Sequence, residues 1–331
     1  MDVIEWLLEP GAPAVRHATL HNLLGRAADE SEVIAALRAA MAARPIASIL
    51  AAQDEAGFWL KPGGGYATKY LGTVWQVMFL DQLGADAGDA RVQLGCRYVL
   101  EHSVAPGGGF GASGRLDAVP APSVVIHCLN GNLVRALIGF GWLDDERVQA
   151  AIEWQAHAIT GDGAPRWYAS GTSGPGFSCA ANQGLPCAWG AVKALLGLAR
   201  IPAGERSPLV ERAIEASVDL LLGDNPATAD YPMGWGNTKP SGSWFRLGFP
   251  SGYVADVLQN LEALSAAGHA RDARLARALD WLLAKRDATG RWRNEYAYNG
   301  KTWVDFEPQG KPSKWVTLRA MSVLKAAGRV D

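Results

Sequence analysis

The chain has 331 residues, of which 49% are hydrophobic and 19% charged, and its formal net charge is −2. This apolar content is sufficient for a large core and excludes an intrinsically disordered chain. The near balance of 31 Lys and Arg against 33 Asp and Glu excludes the strongly basic surface that is typical of nucleic-acid binding.

The first residues and the cysteine content indicate where the protein works. MDVIEWLLEPG carries Asp2 and Glu5 where a signal peptide has positive charge. No uncharged apolar run approaches the ~18–20 residues of a transmembrane helix. Four cysteines are too few for a disulfide scaffold. We therefore expect a cytoplasmic protein with no membrane span and no nucleic-acid partner, whose ligand is a small apolar or aromatic molecule.

One sequence pattern recurs six times along the chain. It consists of an apolar stretch rich in Leu and Ala, a small or polar break, and then an amphipathic stretch. Successive breaks are separated by about 60 residues, a period typical of repeat architectures. The breaks fall at Gly25, Gly84, Gly141, Arg200, Gly268 and Gly328.

Each unit predicts two helices. In chain order, the apolar stretches include VVIHCLNGNLVRALIGF, CAWGAVKALLGLA and GYVADVLQNLEALSA, which suit helices buried on most sides. The stretches after the breaks, such as RVQAAIEWQAHAI and RLARALDWLLAKR, are apolar every three or four positions. We predict an all-α (α/α)6 toroid, a ring of inner and outer helices in one domain over residues 1–331. A linear helical solenoid is the alternative, but the first and last units lack the polar capping face that solenoids need.

A loop of glycine and aromatic residues follows most amphipathic stretches. It reads QDEAGFW at residues 53–59 and KRDATGRW at residues 285–292. A Trp after a tight Gly turn can pack on the next helix end and hold neighbouring units together. We expect this structural role for Trp59 and Trp292 rather than contact with a ligand.

The segment 53–59 matches the Q-x3-G-x-W repeat of squalene and triterpene cyclases, and residues 286–292 are a degenerate copy. The repeat length also resembles that of the terpenoid cyclase and protein prenyltransferase β-subunit superfamily. This resemblance implies a toroid that opens into an apolar central cavity. The D-x-D-D motif of class II cyclases and the D-x-C zinc motif of prenyltransferases are both absent. The nearest acidic pair, Asp144 and Asp145, begins an amphipathic stretch, where helix capping is expected.

The cysteines point to a metal site. Cys128 and Cys187 lie at equivalent positions on consecutive inner helices, and Cys179 lies in a Gly/Pro loop that can fold back over them. Three thiolates would suit Zn²⁺, with His127 as a candidate fourth ligand. The alternative is that these cysteines are small buried hydrophobic residues, as we expect for Cys96.

A second resemblance concerns residues 186–190, Pro-Cys-Ala-Trp-Gly. They are similar to the W-C-x-G segment of lanthionine cyclases, which are α/α toroids with a Cys/Cys/His zinc site. The C-H-G signature of that family is absent, since the order here is His127-Cys128.

Polar residues near the starts of inner helices are candidates for catalysis. Asp256 lies one position past the cysteine-equivalent site of its unit and could act as a general base or metal ligand. Tyr253 lies one turn earlier, and His127 is the third catalytic candidate.

Four further residues are candidates for substrate binding. Lys69 and Tyr70 precede the cysteine-equivalent position of the second unit, and Trp315 occupies that of the last unit. Trp303 belongs to an aromatic and charged segment, residues 291–315, that could cover the cavity mouth.

These observations favour a zinc enzyme, most simply a hydrolase acting on an apolar or aromatic ester or phosphoester through metal-activated water. The first alternative is a metal-free terpenoid cyclase or prenyl-transfer enzyme, in which Trp and Tyr stabilise carbocations and a lone carboxyl group such as Asp256 or Asp117 supplies the acid. The second alternative is a toroid that binds a ligand without catalysis. Fold alone does not decide among the three.

Overall fold

The computed structural model describes residues 2–112, 118–163, 172–229, 231 and 241–330. Within these ranges the regular structure is helical, and β-pairing is limited to isolated bridges. The helices are α1 (Val3–Leu7), α2 (Pro13–Ala18), α3 (Ser31–Ala42), α4 (Ile46–Ala51), α5 (Thr73–Gln82), α6 (Ala90–His102), α7 (His127–Gly139), α8 (Glu146–Thr160), α9 (Ala188–Leu198), α10 (Pro208–Gly223), α11 (Val257–Ala266), α12 (Ala276–Ala284) and α13 (Lys314–Ala326).

Six of these helices form an inner ring: α2 with the π-helical turn Thr19–Leu23 that continues it, α5, α7, α9, α11 and α13. They carry the apolar stretches of the repeats. In α9, for example, only Trp189 is not fully buried. The amphipathic stretches form outer helices such as α6, α8, α10 and α12, whose apolar faces pack on the ring.

The inner helices follow one another around a closed ring. Helix α5 packs on α7, α7 on α9, α9 on α11, and α11 on α13. Helix α13 then packs on α2 and its π-helical turn, which brings the last repeat against the first. His17 of α2 lies beside Gly84, just after α5, so that a Cβ added to that glycine would be 3.7 Å from Nδ1 of His17. The predicted all-α toroid is confirmed, whereas the linear solenoid would leave α13 and α2 apart. The prediction of one domain over residues 1–331 stays a prediction.

Two inner helices, α7 and α9, approach each other almost to backbone contact. A Cβ added to Gly131 would lie 2.5 Å from the carbonyl group of Lys193, and one added to Gly197 would lie 2.7 Å from the carbonyl oxygen of Gly131. Side chains larger than hydrogen would therefore force the helices apart. This close packing places the N-terminal ends of α7 and α9 side by side, where two of the cysteines lie.

Several outer helices begin with the same Asp-x-Arg cap. Asp89, Asp145 and Asp272 cap α6, α8 and the 3₁₀ turn before α12, and each carboxylate accepts the backbone N–H of the Arg two residues on. Each also pairs with the guanidinium of that Arg at 2.6 to 2.7 Å. The capping role expected for the pair Asp144 and Asp145 is thus confirmed at Asp145.

The Gly-aromatic loops join outer helices to inner ones. Trp59 is fully buried, donates its indole N–H to the carbonyl oxygen of Ile49 at 2.7 Å, and donates its backbone N–H to Oγ1 of Thr73 at 3.1 Å. Trp292 makes the same two bonds in the last repeat, at 2.7 and 3.0 Å, to the end of α12 and a threonine of α13. The structural role predicted for both tryptophans is confirmed. Among the described helices, none combines the length and the apolar content needed to cross a bilayer.

Candidate functional site

A cavity of about 140 Å³ lies at the N-terminal ends of four inner helices, α5, α7, α9 and α11. We call it the aromatic cavity. Its described lining residues are mostly apolar or aromatic, and no Asp or Glu is among them. They are Tyr66, Lys69, Ile126, His127, Cys128, Thr172, Ser173, Cys179, Ala181, Asn182, Cys187, Trp189, Gly190 and Tyr253.

The three cysteines singled out in the sequence all line this cavity. Cys128 lies in the first turn of α7, and Cys187 is the residue that precedes α9. The loop between residues 172 and 187 folds back so that the backbone N–H of Cys187 donates to the carbonyl oxygen of Phe177 at 2.9 Å. This turn brings the side chain of Cys179 into a hydrogen bond with that of Cys187.

The surroundings of the three cysteines give their thiols very different pKa values. The hydrogen bond from Cys187 and the backbone N–H groups of Ala181 and Asn182 lower the pKa of Cys179 to about 6. Burial raises the pKa of Cys128 to about 11. The pKa of Cys187 is raised well above its usual range, because its thiol proton is held by Cys179 and the group is buried. At neutral pH one thiolate, at Cys179, therefore faces the cavity beside two thiols.

The cysteine that reacts first with iodoacetamide should be Cys179. We expect its alkylation rate to rise with pH and reach half its maximum near pH 6, because the thiolate is the nucleophile. Peptide mass spectrometry of samples quenched between pH 5 and 9 would give the profile of each cysteine. The Cys187→Ala variant should shift the Cys179 profile to higher pH, and Cys96, whose pKa burial raises to about 12, serves as the unreactive control. A Cys179 profile centred near pH 9 would contradict the assignment.

His127 is buried, and both its ring nitrogens have partners in the protein. Nε2 donates to the carbonyl oxygen of Gly174 at 3.0 Å, which fixes the proton on that nitrogen. Nδ1 accepts from Nε2 of Gln155 at 2.7 Å, and Gln155 is oriented by Nδ2 of Asn130, which donates to its Oε1 at 2.9 Å. Burial lowers the pKa of His127 to about 4, so the ring is neutral. These bonds leave neither nitrogen available for the ligand or catalytic role predicted from the sequence.

The metal-dependent hypothesis finds no support in this geometry. Throughout the part of the chain that the structure describes, no three or more His, Cys, Asp or Glu are arranged to hold a metal ion. Both ring nitrogens of His127 are bonded within the protein, which agrees with this. Zinc at Cys128, Cys179 and Cys187 stays a prediction, which metal analysis of the purified protein would test.

The opposite wall of the cavity is aromatic and holds a positive charge. Nζ of the exposed Lys69 lies 4.6 Å from the ring centroid of Tyr253 and 5.2 Å from that of Tyr66. Trp189 meets the Tyr253 ring edge to face, with centroids 6.3 Å apart. The faces of the two tyrosines therefore already accept a cation. Lys69 and Tyr253, both predicted from the sequence, meet here.

A second layer of tyrosines lies behind that wall. The ring of Tyr70 is buried and lies 4.2 Å from that of Tyr298, which in turn lies 5.3 Å from that of Tyr296. The hydroxyl of Tyr70 also interacts with those of Tyr253 and Tyr298. Tyr70 supports the wall but does not itself line the cavity.

Asp256 caps α11 and lies in this second layer. Its Oδ1 accepts the backbone N–H of Gln259 at 2.8 Å, and its Oδ2 accepts that of Gly248 at 3.1 Å. Burial raises the pKa of Asp256, which favours the protonated form. The carboxyl group borders a small gap shared with Tyr296 and Tyr298 and does not reach the aromatic cavity itself.

The two tryptophans predicted to bind substrate lie outside the cavity lining. The indole N–H of Trp303 donates to the carbonyl oxygen of Leu71 at 2.9 Å, which ties the segment 291–315 to the residues before α5. Trp315 is buried and stacks on Phe249, with ring centroids 4.6 Å apart. Asp117, the other candidate acid, lies outside the described residues.

Three residues of the site were not predicted. Tyr66 and Trp189 complete the aromatic wall, and Lys193 is fully buried in the middle of α9, where it donates to Oε1 of Gln259. Burial lowers the pKa of Lys193 to about 7. The signal for Lys193 was present in the sequence, as the single charge within the apolar stretch CAWGAVKALLGLA.

Fold and cavity together define a helical toroid with a thiol-containing aromatic cavity at one end of its inner ring. No family model matches the chain, and no curated protein is similar to it in sequence. Among solved structures, the chain is similar to the type II terpene cyclase MstE from Scytonema in its apo form, at 14% identity and a TM-score of 0.30, covering 86% of this chain and 96% of that one. Variants of the same enzyme in complex with geranylgeranyl dihydroxybenzoate (its substrate) and with merosterolic acid A (its product) match with TM-scores of 0.30 and 0.32.

This structural similarity matches the resemblance to terpenoid cyclases noted in the sequence. At these TM-scores it carries no conclusion about chemistry, which has to come from the cavity.

Proposed function

We propose that the protein is a metal-free terpenoid-processing enzyme, which binds one end of an isoprenoid substrate in the aromatic cavity and stabilises the positive charge that develops during cyclisation. The observation that carries the proposal is the ammonium group of Lys69 held over the faces of Tyr66 and Tyr253 in a lining that is mostly apolar or aromatic. A carbocation carries the same positive charge and would be stabilised by the same faces of the two tyrosine rings.

The electrostatics of the cavity favour such a reaction. Aromatic faces stabilise a cation without forming a bond to it, and the effect grows as water is excluded. The described lining offers no carboxylate, but the thiolate of Cys179 would trap a carbocation as a thioether, so the reacting carbon has to stay on the side of Tyr66, Tyr253 and Trp189. Because Lys69 is exposed, its side chain can leave the mouth of the cavity when a substrate enters.

The volume limits what fits. A cavity of about 140 Å³ is close to the ~150 Å³ that accommodates a benzene molecule, so it holds roughly one isoprene unit. The rest of a longer chain would extend through the mouth beside Lys69. We therefore place the reacting end of the substrate between Tyr66, Tyr253 and Trp189.

Asp256 is the acid that we assign to the first step. Burial raises the pKa of Asp256, and its carboxyl group borders a small gap together with Tyr296 and Tyr298, so the proton would have to reach the aromatic cavity through this second layer. After the proton leaves, the carboxylate is stabilised by the N–H groups of Gly248 and Gln259 and by the charge of Arg319. General acids of this kind contribute typically about 10²–10⁴ in rate.

The test compares a charged ligand with a neutral one. A prenyl chain ending in a tertiary ammonium group mimics the carbocation, and the corresponding hydrocarbon lacks the charge. Tyr253→Leu should weaken binding of the ammonium ligand about tenfold, since a cation–π contact in a desolvated site contributes up to about 2 kcal/mol. Binding of the hydrocarbon should change much less. Isothermal titration calorimetry measures both.

Tyr253→Phe is the matched control, because it keeps the ring and removes the hydroxyl. This variant should retain binding of the ammonium ligand. In a separate activity assay, the unaltered protein should convert prenyl diphosphates or squalene to a cyclised product. Equal losses for charged and neutral ligands in Tyr253→Leu would show that the ring only fills space, and would contradict the proposal.

A second candidate function rests on Cys179. A thiolate with a pKa of about 6 in an apolar cavity can add to a soft electrophile such as an α,β-unsaturated carbonyl compound, and the thiol of Cys187 can then protonate the enolate. Stoichiometric labelling of Cys179 by such compounds, without cyclised product from isoprenoids, would favour this candidate.

A further inference from the structure

A second cavity, of about 260 Å³, lies at the opposite end of the inner ring. We call it the charged cavity. All six repeats contribute to it, and its residues come from the C-terminal halves or ends of most inner helices. They are Ala18, Asn22, Asp81, Gln82, Gly84, Arg135, Arg200, Phe249, Gln259, Glu262, Trp315, Leu318, Arg319 and Ser322.

The two carboxylates of this cavity are already occupied by arginines. Asp81 pairs with Nη1 of Arg200 at 2.8 Å and with Nε of Arg135 at 3.3 Å. Glu262 accepts two bonds from Arg319, from Nε at 2.7 Å and from Nη2 at 2.6 Å. The carboxylate oxygens of the cavity therefore already accept hydrogen bonds or ion pairs from arginines of the protein.

Donor groups remain. Within the described residues, the terminal nitrogens of Arg135 have no hydrogen-bond partner, since its guanidinium is held only through Nε. The side chain of Arg135 is 22% exposed and lines the cavity. Gln259 also lines the cavity, and its Oε1 is taken by Lys193, which leaves its NH₂ group as the part able to serve a ligand. The unsatisfied groups of the cavity thus require an acceptor.

The charge and the shape of the cavity further restrict the class of ligand that it can bind. Arg135, Arg200 and Arg319 carry three positive charges against the two negative charges of Asp81 and Glu262, which leaves one positive charge in excess. A single free guanidinium edge suits a carboxylate, which it can bind with two parallel bonds. The stacked rings of Phe249 and Trp315 form an apolar side of the same cavity.

We propose that the charged cavity is a binding site for a small monoanionic organic carboxylate, whose carboxylate is held by Arg135 and whose apolar body packs on Phe249 and Trp315. This site is separate from the aromatic cavity and does not depend on the function proposed there. A dianionic phosphate or diphosphate would bring a second negative charge into the cavity that no cation there compensates, at a larger desolvation cost than a monoanion.

Asn22 provides the sharpest test, because it lines the cavity and is exposed, so that a substitution there does not disturb the core. The probe is benzoate, titrated into the full-length protein and followed by calorimetry and by the rise in Tm. Asn22→Asp adds a negative charge and should weaken benzoate binding about fivefold, whereas Asn22→Lys should tighten it by a similar factor at low salt. Arg135→Gln should abolish measurable binding.

The controls separate electrostatics from folding. Arg91→Gln removes a surface guanidinium from α6 and should leave benzoate binding unchanged. The Tm of each variant without ligand reports folding, and the two Asn22 variants keep the test valid if Arg135→Gln is unstable. Saturable benzoate binding that responds with opposite sign to Asp and Lys at position 22 supports the site. No saturable binding, an equal response to both charges, or preferential binding of inorganic phosphate overturns it.

Discussion

Replacing Asp256 by Asn should lower turnover of an isoprenoid substrate by about a thousandfold while substrate binding is retained. The amide has no acidic proton, so the first step loses its proton source. Asn is as good a helix cap as Asp, and its Oδ1 can keep the bond from the N–H of Gln259. The measurement is kcat from product formation under single-turnover and steady-state conditions, with Tm recorded for each variant.

Two further variants make this result interpretable. Asp256→Ser keeps a capping oxygen without a carboxyl group, so it should be as inactive as Asp256→Asn even where their stabilities differ. Asp272→Asn changes the equivalent cap at an outer helix, which is solvent-exposed, and should leave kcat unaltered. Full activity in either variant at position 256 would remove Asp256 from the mechanism.

The fold could be predicted because its signals are local and repeated. The apolar and amphipathic stretches alternate with a constant period, and the Asp-x-Arg caps and Gly-Trp loops recur at the same point of several units. Ring closure was a weaker prediction, since it depends on α13 meeting α2 across nearly the whole chain. The absence of polar capping faces in the end units and the resemblance to toroidal cyclases indicated it.

The parts of the site that could be predicted are those whose position follows from the repeat register alone. Cys128 and Cys187 are neighbours because they occupy equivalent positions on adjacent helices, and Gly131 and Gly197 bring those helices close together. The orientation of His127 could not be predicted in this way. It is set by Gln155 of the outer helix α8 and by the carbonyl group of Gly174, both distant in sequence.

Trp315 shows the limit of register. Counting back from the break correctly places it in the first turn of α13, yet its side chain lines the charged cavity and stacks on Phe249 instead of lining the aromatic cavity. The contact comes from the loop before α11, whose path the repeat pattern does not specify. For Lys193 the limit is different, because the apolar stretch marks the lysine as an exception but does not specify its partner, Gln259 of α11.

Trp59→Ala should lower the free energy of unfolding by about 3–5 kcal/mol, the usual cost of removing a buried aromatic side chain. The substitution leaves a cavity between two repeats and deprives the carbonyl oxygen of Ile49 of its N–H donor. Trp59→Phe keeps most of the packing and should cost about 1–3 kcal/mol, mainly for the lost hydrogen bond. Urea denaturation followed by circular dichroism measures both, with Leu60→Ala as control, since the neighbouring Leu60 is 49% exposed.

Trp292→Ala tests whether the buried tryptophan has the same stabilising role in the last repeat as in the first. Because Trp292 makes the same two bonds in the last repeat, Trp292→Ala should cost as much as Trp59→Ala. Because the two tryptophans share no partner, a ring that unfolds in one step should lose the sum of the two free energies in the double variant. A double loss clearly smaller than the sum would mean that the repeats unfold separately, so that the closed ring is not one cooperative unit. An additive loss would show that the aromatic cavity and the charged cavity, at opposite ends of the inner helices, belong to one cooperatively folded ring.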